Sequence, residues 1–251
     1  MTTPPISIPA EKLRDMLTAV LPHAGLDDTL PTLAAVRFEV RGGVLYLIAC
    51  DRYSIGVARE QIAGAKAAGL PDQSALLPCD RAEAMLAAVT EAEGVAALIF
   101  TPGGDLADGE ILMDAAGKMS SYRTLGAKFE YPDWRGLLHG ALTAETGELT
   151  ERFGVDPRLL TRFVMGAGPH DPWEPKPLRL RIAPRVNAPI ILVTYGEWFL
   201  GAIMAVRCAN ETGQGEIGIA PPQWRDWTAA LAKPEPAADE APAEVQAGVP
   251  Q

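Results

Sequence analysis

The sequence predicts an α+β fold in which helices cover one face of antiparallel sheets. The main observation is a repeat: a strand-like run, a helix-like run and three further strand-like runs follow one another three times along the 251 residues. Short turns containing glycine join several strand-like runs, which favours hairpins between antiparallel neighbours. In residues 178–182, LRLRI, leucines and arginines alternate, as expected when one face of a strand is buried. One helix for each set of strands fits the α+β class.

The helix-like segments of the three units resemble one another. They are IPAEKLRDML at 8–17, LPCDRAEAML at 77–86 and GVDPRLLTRF at 154–163. Each has an acid or a proline where the first helical turn would begin, and both are favoured there. Each also has a basic residue at the same place in the repeat. Chance similarity between amphipathic helices stays an alternative for the helices alone, but the strands that follow each of them favour a true repeat.

Three strand-like runs follow each helix-like segment. They are LAAVRFEV, GVLYLIAC and YSIGVARE in the first unit, VAALIFT, GEILMDA and KMSSYRTL in the second, and PLRLRIA, PIILVTY and FLGAIMAVR in the third. We therefore predict a first domain at 1–127 with two units, about 5–62 and 74–126. After it we expect a linker and a shorter domain at 128–220, a short helix at 221–232 and a disordered acidic tail at 233–251.

The composition argues against several classes of function. The formal net charge is −10, so any contact with nucleic acid has to be confined to one face. The three cysteines are far apart, and the sequence has no Cys/His cluster, P-loop, GxGxxG or HExxH motif. We therefore expect no metal and no cofactor. Without a signal-peptide pattern or a long apolar run, we expect a cytoplasmic protein with no membrane partner.

The segment ACDRYSIGV joins two strand-like runs and has two interpretations. Cys50 beside Asp51 would suit a nucleophile, but that chemistry needs a base, and His23, His139 and His170 lie in no matching motif. The other interpretation is a tight turn at the edge of a binding pocket. There the aspartate side chain would accept hydrogen bonds from the turn backbone.

Three segments, in order, resemble motifs of the bacterial DNA sliding clamps, the beta processivity subunit of DNA polymerase III. LPTLAAVRFEVRGGVLYLIACDRYSIGVARE at 30–60 is similar to the family's P-x-L segment that ends in [TC]-D-x-x-x-[LIM]-[AG]. KFEYPDWRGLL at 128–138 is similar to its F-P-D-Y-[RK]-x-[LV] linker, and AIMAVR at 202–207 to its [IV]-M-P-[VM]-R. Full bacterial members have six such units, whereas this chain has three, so a shortened, phage-encoded version would suit it. A second departure is Ala205, where the family motif has a proline.

The resemblance implies a non-enzymatic processivity factor. Such a protein encircles duplex DNA as a homo-oligomeric ring, without reading sequence, and tethers the replicative polymerase. Basic side chains on the helices would contact phosphates in the hole. These positions are Lys12, Arg14, Arg81, Arg158 and Arg162. The alternative for each of them alone is an ordinary solvated helix residue.

The resemblance also implies a pocket for a short apolar-aromatic peptide of the polymerase or the clamp loader. Its wall carries over to Cys50, Arg52, Tyr53, Ile55, Pro132, Trp134, Leu137, Ala202, Met204 and Arg207. The alternative for the apolar members is ordinary core packing. A clamp-like interaction module that binds such peptides without encircling DNA is the second candidate function. Trp224 and Trp227 lie beyond the resemblance and would either pack in a core or dock on a neighbouring subunit.

Overall fold

The computed structural model describes residues 4–64, 69–103, 108–144, 153–166, 177–183 and 189–207. The predicted helix at 221–232 and the predicted tail lie outside these residues, as does the side chain of Arg207.

The elements follow the predicted repeat. The first unit consists of β1 (Ile6–Pro9), α1 (Ala10–Val20), β2 (Ala35–Arg41), β3 (Val44–Cys50) and β4 (Ser54–Gln61). The second consists of β5 (Gln73–Pro78), α2 (Cys79–Thr90), β6 (Val95–Thr101), β7 (Glu110–Ala115) and β8 (Lys118–Arg123). After α3 (Trp134–Thr143), the third consists of β9 (Phe153–Gly154), α4 (Pro157–Gly166), β10 (Arg179–Ala183), β11 (Ile190–Tyr195) and β12 (Phe199–Met204), and β13 (Val206–Arg207) follows.

Apolar spacing explains why α1 is a helix and which side of it is buried. Leu13, Met16, Leu17 and Val20 are all buried, and their spacing of three, four and seven residues places them on one side of a helix. The intervening polar residues lie on the solvent side. The helix therefore gains most of its stability from the core that it covers rather than from its own hydrogen bonds.

The first two units exchange their first strands. β1 pairs with β6 of the second unit, with Ile8 opposite Ala96, and β5 pairs with β2 of the first unit, with Leu77 opposite Val36. One sheet consequently has the order β1-β6-β7-β8. The exchange ties the two units into one body, because neither sheet is complete without a strand from the other unit.

The third unit joins the larger sheet through β12 and β4, where Gly201 lies opposite Gly56. The resulting seven-stranded sheet has the order β10-β11-β12-β4-β3-β2-β5 and therefore runs across the predicted division at 127/128. β9 pairs with the short strand β13, with Gly154 opposite Val206. All of these pairings are antiparallel, which confirms the predicted α+β class.

Alternate residues of the seven-stranded sheet belong to two apolar clusters. Leu47 and Ala49 of β3 face the larger cluster, which contains α1, α2 and α4 together with residues of both sheets. Ile48 and Cys50 face the smaller cluster, which contains Trp134 and other residues of α3. The three repeat helices thus share one face of this sheet, as predicted. Helix α3, which the sequence analysis treated as linker, covers the opposite face.

Candidate functional site

The corner between β3 and β4 is held by one carboxylate. Asp51 Oδ1 accepts hydrogen bonds from the backbone N–H groups of Tyr53 and Ser54, each at 2.7 Å. The Asp51 N–H donates to the Ser54 carbonyl oxygen at 3.1 Å. This confirms the expectation that the aspartate acts as a turn-fixing acceptor. The side chains of the two central residues, Arg52 and Tyr53, are exposed.

Backbone contacts also attach the corner to the end of β12. The Met204 N–H donates to the Tyr53 carbonyl oxygen at 2.8 Å. The side chains of Tyr53 and Met204 are 58% and 44% exposed, so two large residues that touch through their backbones both present apolar surface to solvent. Large exposed apolar groups that lie side by side are typical of interaction sites.

The corner, the start of α3 and the end of β12 enclose a cleft of about 120 Å³. Nine of the ten residues predicted for the peptide pocket line it; the tenth is Arg207, whose side chain lies outside the described residues. The cleft is also lined by residues outside the predicted set, namely Asp51, Ser54, Asp133, Ile190 and Ile203. The structure therefore brings together side chains from three distant segments of the chain.

Helix α3 positions one wall of the cleft. Asp133 caps this helix, its side chain accepting from the Gly136 N–H at 3.0 Å. Trp134 is 9% exposed, with its ring 5.9 Å from that of Tyr46 and the Arg135 guanidinium carbon 4.0 Å from its centroid. A nearly buried ring with two such close neighbours has little freedom to turn. Trp134 is thus a rigid wall, in contrast to the exposed Tyr53.

The Cys50 thiol does not have the environment of a nucleophile. Its side chain is buried, and burial raises the pKa of the thiol, with the nearby Asp51 carboxylate acting in the same direction. A hydrogen bond with Tyr131 opposes the shift but is the smaller effect. A thiol that stays protonated is a weak nucleophile. Among the described residues there is also no cluster of acidic, histidine and cysteine side chains that could hold a metal.

Arg162 supports the corner from behind. Predicted to face DNA, it instead donates from Nη1 to Asp51 Oδ2 and to Ser54 Oγ, both at 2.6 Å, and its side chain is 25% exposed. His23 Nδ1 lies 3.2 Å from the same serine oxygen, and its ring centroid lies 4.5 Å from that of Phe163. Burial, aided by the neighbouring arginine, lowers the His23 pKa to about 3. A neutral histidine and an ion pair therefore connect α4 to the turn.

The other predicted DNA-facing residues lie on helices that pack side by side, because α1 contacts both α2 and α4. Lys12 is exposed on α1. The three remaining arginines each pair with an acid close by in sequence: Arg14 with Asp15 at 3.4 Å, Arg81 with Asp80 at 3.3 Å, and Arg158 with Asp156 at 2.6 Å. Their charge is therefore partly offset by the neighbouring acids.

Solved structures provide a comparison for this arrangement, whereas no protein-family model matches the chain. The beta subunit of DNA polymerase III from Thermotoga maritima superposes with a TM-score of 0.61 at 14% identity, over 83% of this chain and 67% of that chain. A DNA polymerase sliding clamp from Pseudomonas aeruginosa gives 0.59 at 13% identity, over 82% and 67%. The beta subunit from the DNA polymerase of Streptococcus pyogenes gives 0.59 at 15% identity, over 82% and 67%.

The chain has the sliding-clamp fold. The resemblance predicted from three short segments is thereby confirmed at the level of structure. The chain spans about two-thirds of the length of these clamps, in agreement with the smaller number of repeat units in its sequence. No helix in the described part of the chain is long and apolar enough to cross a membrane.

Proposed function

We propose that the protein is a DNA sliding clamp, a non-enzymatic processivity factor that encircles duplex DNA as a homo-oligomeric ring and tethers a replicative polymerase. The observation that carries the proposal is the cleft between the Asp51 corner, α3 and β12, set in a chain with the sliding-clamp fold. Its setting would be the cytoplasm of a bacterial cell or of a phage-infected bacterium.

The lining of the cleft suits a short apolar-aromatic peptide from a polymerase or a clamp loader. Leu137, Ile55 and Met204 offer an apolar floor, and the methionine is flexible enough to fit different anchors. Tyr53 stands at the rim with an exposed ring that can stack on a peptide side chain while its hydroxyl stays in water. Arg52 adds a cation that can meet a peptide carboxylate.

The DNA-facing side of the proposed clamp is the row of helices α2, α1 and α4. Phosphates would be contacted there by Lys12, Arg14, Arg81 and Arg158. Contacts to phosphates that do not read the base sequence require positive charge but no fixed geometry. Arg162 does not belong to this set, since its guanidinium is engaged with Asp51 and Ser54. An overall charge of −10 would discourage DNA from binding to the rest of the surface.

The second candidate is a clamp-like module that binds polymerase or loader peptides without encircling DNA. The reduced length favours this second candidate. The chain spans about two-thirds of a clamp chain, so each subunit would contribute fewer repeat units to a closed ring. The exposed basic positions on three adjacent helices favour the ring.

Native mass spectrometry separates the two candidates. The ring proposal predicts one closed oligomer whose stoichiometry does not change with protein concentration. The module predicts a monomer that still binds peptide. A monomer at all concentrations would therefore overturn the ring and leave the assignment of the cleft standing. An oligomer in which Tyr53→Ala leaves peptide affinity unchanged would overturn the assignment of the cleft and leave the ring standing.

A further inference from the structure

Helix α4 presents apolar side chains to solvent. Leu160, Val164 and Met165 are 36%, 63% and 63% exposed, whereas Leu159 and Phe163 on the opposite side are buried. We call the three exposed residues the outer face of α4. Leu160 and Val164 are four residues apart and therefore adjacent on the helix surface.

The neighbouring strand continues this apolar surface. Leu180 of β10 is 59% exposed. It shares a side of the strand with Leu178 and Ile182, which pack against the same core cluster as α4, so it lies on the helix-covered face of the sheet. β10 is the edge strand of the seven-stranded sheet, and no further strand covers it in the described part of the chain.

The other outer helix of the row has no such face. Helices α2 and α4 both flank α1, and Gly166 of α4 approaches it so closely that a Cβ there would lie 2.8 Å from Ala19 Cα. On α2, however, the exposed residues include Asp80, Arg81 and Glu83, and no large apolar side chain of this helix is exposed. The outer face of α4 is therefore a particular feature of the third unit rather than a general property of the helix row.

A segment of this chain outside the described residues has the complementary pattern. In PQWRDWTAALAK, residues 222–233, Trp224, Trp227 and Leu231 are spaced by three and seven, which places them on one side of a helix. The charged residues Arg225 and Asp226 fall between them. Two tryptophans on one side can each bury about 150–250 Å².

The length of the intervening chain puts α4 within reach of this segment. The described chain ends at Arg207 in β13, which pairs with β9, and α4 begins at Pro157, three residues after Gly154 of β9. Residues 208–223 then separate β13 from Trp224. Sixteen residues can span about 50 Å, whereas a ten-residue helix is only about 15 Å long, so the whole of α4 is within reach.

We propose that residues 222–233 dock within their own chain, as an amphipathic helix, on the outer face of α4 and on Leu180. Docking within one chain requires little intrinsic affinity, because the tether keeps the effective concentration in the millimolar range. A second copy is a poorer occupant, since four exposed side chains fall far short of the roughly 800 Å² that each partner buries in a stable interface.

Charge supports the same occupant. Arg158 is exposed on α4, seven residues before Met165 and therefore on the same side of the helix. The segment is followed directly by Glu235, Asp239, Glu240 and Glu244. Docking would bring this acidic stretch towards Arg158.

Limited trypsin digestion of the full-length protein tests the proposal at the Arg225–Asp226 bond, in the middle of the segment. Docking predicts that Val164→Asp accelerates this cleavage at least about tenfold, because cleavage follows the population of the open state. Met119→Asp is the matched control: Met119 is 58% exposed on the edge strand β8, so the same change at similar exposure should leave the rate unaltered. Trp227→Ser, which leaves the described fold untouched, should accelerate cleavage as Val164→Asp does.

Two results would overturn the proposal. One is an equal cleavage rate in the wild type, Val164→Asp and Trp227→Ser. The other is a wild-type protection that disappears on dilution, since that would make a second copy the occupant. Both are independent of the proposed clamp function, because neither DNA nor a partner peptide enters the experiment.

Discussion

Replacing Arg162 by alanine removes the support behind the Asp51 corner. The guanidinium makes two hydrogen bonds of 2.6 Å from one nitrogen, to the Asp51 carboxylate and to the Ser54 hydroxyl. The Asp51 side chain is only 14% exposed, so water replaces the arginine poorly.

The expected loss follows from these contacts. A hydrogen bond to a charged group contributes about 1.5–3 kcal/mol. Breaking a fully buried ion pair costs about 3–5 kcal/mol, but Asp51 keeps two backbone N–H donors and the arginine is partly exposed, so that range is an upper bound. We expect Arg162→Ala to lower the free energy of unfolding by about 2–3 kcal/mol.

Urea denaturation measures this change, with Arg158→Ala as the matched control. Arg158 lies four residues earlier on the same helix and also forms an ion pair at 2.6 Å, but its side chain is 88% exposed. Exposed pairs contribute little to stability, so this variant should unfold at nearly the wild-type urea concentration. Equal losses in the two variants would refute the view that Arg162 is a structural support and Arg158 a solvated surface charge.

Tyr53→Ala should weaken binding of an apolar-aromatic peptide about tenfold, measured by fluorescence anisotropy, with the thermal midpoint unchanged because the side chain is exposed. His23 stays neutral in the folded protein down to about pH 3 but takes up a proton below about pH 6.5 when unfolded. Stability should therefore fall as pH drops below 6.5, by about 2 kcal/mol at pH 5. Gly201→Ala should destabilise the fold by about 1–3 kcal/mol, because a Cβ would collide with Phe163 and lie 2.7 Å from a backbone oxygen. Gly140→Ala, with open space around it on α3, should be stabilising by up to about 1 kcal/mol.

Each of these has an outcome that contradicts it. Unchanged peptide affinity in Tyr53→Ala would remove the corner from the proposed pocket. A His23→Gln variant with the same pH dependence as the wild type would show that carboxylates alone account for the acid sensitivity. Equal unfolding free energies for Gly201→Ala and Gly140→Ala would mean that the β12–α4 contact is not tightly packed.

The repeat predicts the strands and three of the helices because each unit carries the same order of apolar patterns and turns. The cleft could be outlined for the same reason, since its lining comes from three motifs with recognisable residues. Helix α3 is not predicted by the repeat, because its ten residues include two glycines and follow a Tyr-Pro pair that is typical of a linker. Its capping aspartate, Asp133, was the available signal.

The position of Arg162 could not be predicted in the same way. The repeat places Arg158 and Arg162 four apart on a helix surface, which suggests a common exposed face. Only the pairing of β12 with β4 brings α4 against the Asp51 corner and covers one of the two arginines. Such burial depends on how distant units dock, and local spacing carries no information about it.

Topological retention on circular DNA decides whether the protein surrounds the duplex. The protein would be loaded on a nicked circular plasmid with an extract of the cells that carry it, freed of unbound protein, and then assayed after a restriction enzyme cuts the plasmid once. A sliding ring stays on the circle and leaves when the DNA acquires ends, so we predict retention that is lost on linearisation and is little affected by salt. Binding that is equal on circular and linear DNA, and that salt abolishes on both, would contradict the claim.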